Sequence, residues 1–180
     1  RAVAKACYVR GAGVTLAHDG PEVPYAERRQ VESAREMLAA TSGACEGADA
    51  LVSAAAIGDY TVETAPEKIR SGRELTLELE PTPKLIDTVR EAYPELPIVG
   101  FKLETVGDDE AMAERARETL RRAGLAFVVA NDASVMGAET TRVLLVDEDG
   151  VTIEEGSKSE VGGRIADALA VELEKTDPER

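Results

Sequence analysis

With 180 residues and 43% hydrophobic content, the chain can bury one sizeable core and requires no second domain. Its 35 acids outnumber 21 bases for a net charge of −14, which argues against nucleic-acid binding through a basic patch. No run of about 18 apolar residues is present, and Arg1-Ala2-Val3-Ala4-Lys5 lacks a signal-peptide pattern, so no membrane association and a cytoplasmic location are expected.

Apolar residues at 3, 4, 7 and 8 followed by Gly11 predict a helix over Ala2–Arg10 with a glycine stop. Val14–Ala17 reads as a strand, Asp19-Gly20-Pro21 opens a loop, and Arg29–Glu32 reads as a short strand. Ser33 with Glu36 forms a capping-box pattern, starting a helix expected to run to about Thr41. Ala50–Ile57 has no polar alternation, which predicts a strand covered on both faces. Glu74–Glu80 alternates strictly and reads as a half-exposed edge strand able to pair with another subunit. A helix is expected over Pro83–Tyr93 and a buried strand over Ile98–Phe101. Asp108–Ala123 follows as a helix with acids first and Arg121 and Arg122 last, then Phe127–Asn131 as a second buried strand. Arg142–Glu155 predicts a hairpin across Asp149-Gly150, and Ser159–Lys175 a terminal helix with Ile165, Leu169 and Leu173 on one stripe.

Strands alternating with helices specify an α/β fold, Rossmann-like and doubly wound, with a mostly parallel sheet and a β-hairpin or flap extension. Residues 1–180 form a single domain in this reading. Because the pattern opens inside a helix with no glycine-rich turn before it, a first βα unit is expected to be missing. Cys7 and Cys45 have no metal spacing and read as two reduced thiols. His18 is the single histidine, so a multi-histidine metal site is excluded and any metal should be oxygen-bound and Mg²⁺-like. The acidic surplus suits either a high-salt cytoplasm or an ordinary acidic protein.

In doubly wound sheets ligands bind at the carboxyl ends of strands. Ala54-Ala55-Ala56-Ile57-Gly58-Asp59-Tyr60 places small residues, a carboxylate and an aromatic at one such end. Gly100-Phe101-Lys102-Leu103-Glu104-Thr105 and Ala130-Asn131-Asp132 supply two more. Singly each has a structural alternative: Asp59 as a cap, Gly100 as a bulge, Phe101 as core, Asn131 and Asp132 as a turn. Lys68, in Pro66-Glu67-Lys68-Ile69-Arg70, is either a solvated surface lysine or a cation closing over phosphates.

In order and spacing these residues resemble the phosphopantothenoylcysteine synthetase family. The resemblance runs through Arg10-Gly11-Ala12, Gly20-Pro21, the Val31–Met37 segment, Ala55-Ala56-x-x-Asp59-Tyr60, Pro66-Glu67-Lys68-Ile69, Gly100-Phe101-x-x-Glu104-Thr105, Ala130-Asn131-Asp132 and Ser157-Lys158. It implies a ligase of coenzyme A biosynthesis that activates 4′-phosphopantothenate with CTP as an acyl-cytidylate and then joins it to cysteine, using Mg²⁺. By the same resemblance Asp59 organises metal and triphosphate, Ala55 and Ala56 pass close to the nucleotide, and Lys68 is the flap lysine that neutralises transition-state charge. Phe101 would stack on cytosine, while Asn131 and Asp132 would help form the nucleotide pocket. A homodimer is implied, of higher order if a flavin-dependent decarboxylase domain is fused in front; FMN would be required only in that case.

Two departures stand against the family pattern. Its opening glycine-rich turn and Asn-x-Ser-Ser-Gly segment have no counterpart here, so the chain alone is expected to be inactive. Where bacterial members carry two lysines near the cytidine, this chain has Thr119 and Ala123, with Arg115, Arg121 and Arg122 nearby, which leaves CTP against ATP open. The competing readings are a non-catalytic Rossmann-like nucleotide-binding or assembly domain and an NAD(P)-dependent reductase, the latter disfavoured by the absent fingerprint.

Overall fold

Alternation of buried residues along adjacent strands divides the interior into two layers. In β6 (Ile98–Glu104) and β7 (Phe127–Asp132), Ile98, Val128 and Ala130 face one cluster while Val99, Phe127 and Val129 face the other. The first cluster is closed by α3 (Leu85–Ala92) and α4 (Asp109–Ala123) through Leu85, Val89, Met112, Ala116 and Leu120. The second is closed by α5 (Lys158–Thr176), through Val161, Ile165 and Leu169, and by α1 (Ala2–Val9), through Val3 and Cys7. Continuous apolar strand sequences follow from this double cover. The computed structural model describes residues 1–63, 65, 67–72, 74–104, 108–132 and 139–176.

The central sheet has the order β3-β6-β7-β8-β9, where β3 is Leu51–Ser53, β8 Thr140–Val146 and β9 Val151–Ser157. β3, β6 and β7 are parallel, and the β8–β9 hairpin extends the sheet antiparallel, as the alternation around Asp149-Gly150 predicts. A separate parallel pair joins β1 (Thr15–His18) to β2 (Glu27–Gln30), and a short antiparallel pair joins β4 (Tyr60–Thr61) to β5 (Glu80–Pro81).

Helix ends follow local chemistry. The Ser33 hydroxyl accepts from Glu36 N at 3.2 Å, and the Glu36 carboxylate accepts from Glu32 N at 2.7 Å, so the box closes one residue earlier than its usual form. At the start of α5 the Ser157 hydroxyl accepts from Glu160 N at 3.2 Å, and Glu160 accepts from Ser157 N at 2.8 Å. α1 ends before Gly11, whose φ of +92° suits glycine. α1 and α5 approach so closely that a Cβ at Gly162 would lie 2.9 Å from the carbonyl carbon of Ala2. A two-pronged Arg10–Asp167 pair at 2.7 and 3.0 Å fastens the same two helices.

Four expectations need correction. α2 (Ala34–Cys45) continues past Thr41 to Cys45 because Thr41 and Cys45, one turn apart, are both buried, and that burial outweighs the weak helix propensity of Ser42 and Gly43. β2 lies two residues earlier than expected, leaving Val31 buried beyond its end. The strand expected over Ala50–Ile57 contracts to Leu51–Ser53, with Ala54, Ala55 and Ala56 exposed, because β3 is paired on one edge alone. Of the alternating segment Glu74–Glu80, Glu80 alone is in a strand; Leu75, Leu77 and Leu79 are 53%, 58% and 60% exposed, and among the described residues nothing pairs with them.

Candidate nucleotide site

Parallel pairing of β3, β6 and β7 sets their carboxyl ends side by side, with Ser53 opposite Gly100 and Leu103 opposite Asn131. Asp59 follows the first of these ends. Its backbone carbonyl accepts from Thr82 N at 2.9 Å, closing the base of the β4–β5 excursion just before α3. Its carboxylate is ion-paired with the Lys84 ammonium, and both side chains are largely exposed, at 71% and 59%. The hydrogen bond from Lys84 holds the Asp59 carboxyl below the usual carboxylate range, assisted by the positive charges of Lys84 and Lys102. The pair therefore presents one anion and one cation to solvent beside the Lys102 charge on β6, an arrangement able to meet a metal–phosphate group. At this exposure it adds little to stability.

Lys84 and Lys102 were not among the residues singled out from the sequence. Lys84 reads as an ordinary helix start, and its ion pair spans 25 residues, so no local spacing marks it.

Ala55 and Ala56 line a cleft of about 1270 Å³ together with Ala54, Ile57, Gly58 and His18. Burial, with the nearby Arg1 and Arg28 charges, lowers the His18 imidazole pKa, and its Nδ1 accepts from Gly20 N at 3.0 Å. Asn131 is half-buried at the end of β7, and Asp132 follows it opposite Glu104. Phe101 is half-buried and packs against the α1–α5 cluster. Lys68 lies between β4 and β5, exposed, with no hydrogen bond or ion pair among the described residues, so no contact joins it to Asp59. Pro66 and Thr105 lie outside the described residues. Gly100 serves packing: a Cβ there would meet Leu125 Cδ1 at 2.7 Å. On α4, Arg122 bonds Asp87 at 3.0 Å, and Arg121 lies 3.9 Å from Glu114.

Among the described residues no three His, Cys, Asp or Glu side chains gather as a metal cage, and no helix is long and apolar enough to cross a membrane.

The model of the DNA/pantothenate metabolism flavoprotein C-terminal domain matches residues 1–173. The chain is 43% identical over 153 residues to the coenzyme A biosynthesis bifunctional protein CoaBC of Thermococcus kodakarensis, an alignment covering 82% of this chain and 38% of that protein. It thus spans well under half the length of this curated relative. The solved C-terminal domain of a CoaBC protein superposes with a TM-score of 0.77 at 26% identity, covering 97% of this chain and 81% of that one. A Cab2 variant complexed with phosphopantothenate-cysteine shares the fold, with a TM-score of 0.63 at 18% identity over 84% of this chain and 54% of that one. Together with the motif order read from the sequence, these matches establish that the chain belongs to the DNA/pantothenate metabolism flavoprotein C-terminal domain family, the phosphopantothenoylcysteine synthetase part of CoaBC proteins.

Proposed function

We propose that this chain carries the nucleotide site of a cytoplasmic phosphopantothenate–cysteine ligase that uses CTP. The observation that supports it most is the exposed Asp59–Lys84 pair beside Lys102, next to a backbone of small residues at the carboxyl ends of parallel strands. In the first step a carboxylate oxygen of 4′-phosphopantothenate attacks the α-phosphorus of CTP; the P–O bond to the β-phosphate breaks, leaving acyl-cytidylate and pyrophosphate. In the second, the cysteine amine attacks the acyl carbon, the C–O bond to CMP breaks, and the nitrogen gives up a proton as the amide forms.

Each residue has a part to play in that chemistry. Asp59 is anionic at neutral pH, and Lys84 lowers its carboxyl pKa further below the ordinary 3.8. One exposed carboxylate fits Mg²⁺, which commonly takes one or two protein carboxylates and completes its shell with phosphates and water. The metal would supply charge neutralisation on the triphosphate. Lys84, already at hydrogen-bond reach of Asp59, would turn to phosphate when Asp59 takes the metal. Lys68 would approach with the β4–β5 excursion and neutralise developing charge. Ala55 and Ala56 have no side chain bulk to hold the nucleotide away, Phe101 offers a ring face to cytosine, and Asn131 with Asp132 borders the base. The exposed Leu75, Leu77 and Leu79 suit a homodimer joined through this excursion. Any flavin chemistry of the bifunctional relatives would reside in sequence outside the aligned segment.

Titration calorimetry with CTP and Mg²⁺ on the complete encoded protein tests the reading, together with release of CMP in the presence of phosphopantothenate and cysteine. Lys68→Gln should lower turnover far more than it weakens CTP binding, and Asp59→Asn should remove the Mg²⁺-dependent part of nucleotide affinity. Absence of CTP binding by the unaltered protein would leave a non-catalytic assembly domain as the better account.

A further inference from the structure

Strand β9 forms one margin of the central sheet, and among the described residues nothing pairs with its outer edge. The hairpin register fixes which of its peptide groups face outward. Asp147 N–H donates to the Gly150 carbonyl at 3.2 Å, and Lys158 N–H donates to the Glu139 carbonyl at 3.3 Å. Hydrogen-bonded and non-bonded pairs alternate along an antiparallel ladder. Both bonds have the same parity, so Thr152, Glu154 and Gly156 are the residues of β9 that bond β8. The N–H and C=O groups of Val151, Ile153 and Glu155 therefore point away from the sheet. Ser157 N–H, the next outward donor, is taken by the Glu160 carboxylate at 2.8 Å, which limits the open edge to Val151–Glu155.

This edge is apolar and unguarded. Cross-strand partners share a face, which sets Val151 beside Val146 and Ile153 beside Leu144, two buried members of the α3–α4 layer. Val151 and Ile153 are themselves 37% and 51% exposed, so they carry that layer past its last covered strand. Free edges are commonly blunted by lysine, proline or a bulge. Val151–Glu155 contains no lysine or proline, and its register against β8 runs unbroken from Val151 to Ser157. Its two glutamates are compensated within the chain, Glu154 by an ion pair with Arg164 and Glu155 by Arg142, which stands opposite it in register.

The edge is also complementary to itself. A twofold axis through Ile153 sets Ile153 against Ile153 of a second copy and Val151 against its Glu155, and each such pair exchanges both hydrogen bonds. The same rotation brings the exposed Lys158 opposite the exposed Glu148 of the other copy, with Asp149 beside it, at both ends of the contact. A shifted or parallel strand keeps backbone bonds but loses the isoleucine pair and the charge match.

We propose that two copies of this chain pair antiparallel through β9, centred on Ile153, and so join their central sheets into one. β9 is the margin opposite β3, so the nucleotide site beyond β3 stays open. The contact is separate from the Leu75–Leu79 excursion and does not depend on the ligase reading.

Register-specific cross-linking of the complete encoded protein tests it. Across the axis the two Ile153 Cα atoms would lie about 5.5 Å apart, within the span of a disulfide, whereas the two Val151 Cα atoms would be more than about 12 Å apart. Mild oxidation should link Ile153→Cys into a dimer at least about tenfold faster than Val151→Cys or the unaltered protein, with the disulfide mapped to position 153 of both copies. Both side chains are exposed, so neither substitution disturbs the core. In amide exchange, Val151, Ile153 and Glu155 should be protected in concentrated protein and lose that protection by at least about tenfold on dilution, while Thr152 and Glu154 stay protected throughout. Ile153→Pro removes an outward N–H alone and should abolish the concentration dependence. Equal linking at positions 151 and 153, linking no faster than in the unaltered protein, or fast exchange at Val151, Ile153 and Glu155 at every concentration would each overturn the proposal. CTP calorimetry is a separate readout, so failure of the ligase reading leaves this result intact.

Discussion

Replacing Gly100 by alanine separates packing from ligand approach at the end of β6. The added methyl would sit 2.7 Å from Leu125 Cδ1 and 3.9 Å from Ile86 Cδ1. Leu125 is 6% exposed and belongs to the α3–α4 cluster, so its side chain must leave its rotamer within a filled layer. Overpacking of this kind costs roughly 1–3 kcal/mol, which for a domain of this size lowers Tm by about 2–12 °C. Thermal and urea unfolding of the two proteins measure it. Leu125→Ala alone should cost about 2–5 kcal/mol through the cavity it opens, but in the double variant the new methyl occupies part of that cavity. The two changes should therefore cost clearly less together than their sum. A Gly100→Ala protein of unchanged stability with weakened CTP binding would refute the packing argument and return Gly100 to the ligand.

Lys84→Met should let the Asp59 carboxyl rise toward its ordinary 3.8, followed by carboxyl-carbon NMR titration, since the Lys84 hydrogen bond is the largest cause of its depression; an unchanged pKa would assign the effect to other charges such as Lys102. Asp59, Asp109, Glu160 and Asp167 all have lowered native pKa values, the first, second and fourth through bonds from Lys84, Arg142 and Arg10, and Glu160 through Ser157. Their stabilising contribution is present above the unfolded values of 3.8 and 4.5 and is lost as pH falls through the lower native ones. Chemical denaturation at a series of pH values should thus show stability flat near neutrality and falling below about pH 4.5. With a net charge of −14, the fold should also gain stability as KCl is raised from low ionic strength, and a melting temperature independent of salt would rule out self-repulsion as a significant term.

Where chemistry is local, the sequence by itself determined the structure. Capping at Ser33 and Ser157, the stop at Gly11 and the turn at Asp149-Gly150 depend on neighbours within a few residues, and the order of short motifs was enough to indicate the family. Tertiary structure decided what depends on partners distant in the chain. Thr41 and Cys45 extend α2 because a core receives them, Gly100 exists for Leu125, and Lys84 finds Asp59 across 25 residues. Leu75, Leu77 and Leu79 alternate as a strand does, yet alternation makes a strand only where a second edge supplies hydrogen bonds. The same reason shortens β3: its Ala-rich continuation has the pattern of a covered strand, but its outer edge faces a cleft, and pairing rather than pattern sets where a strand ends.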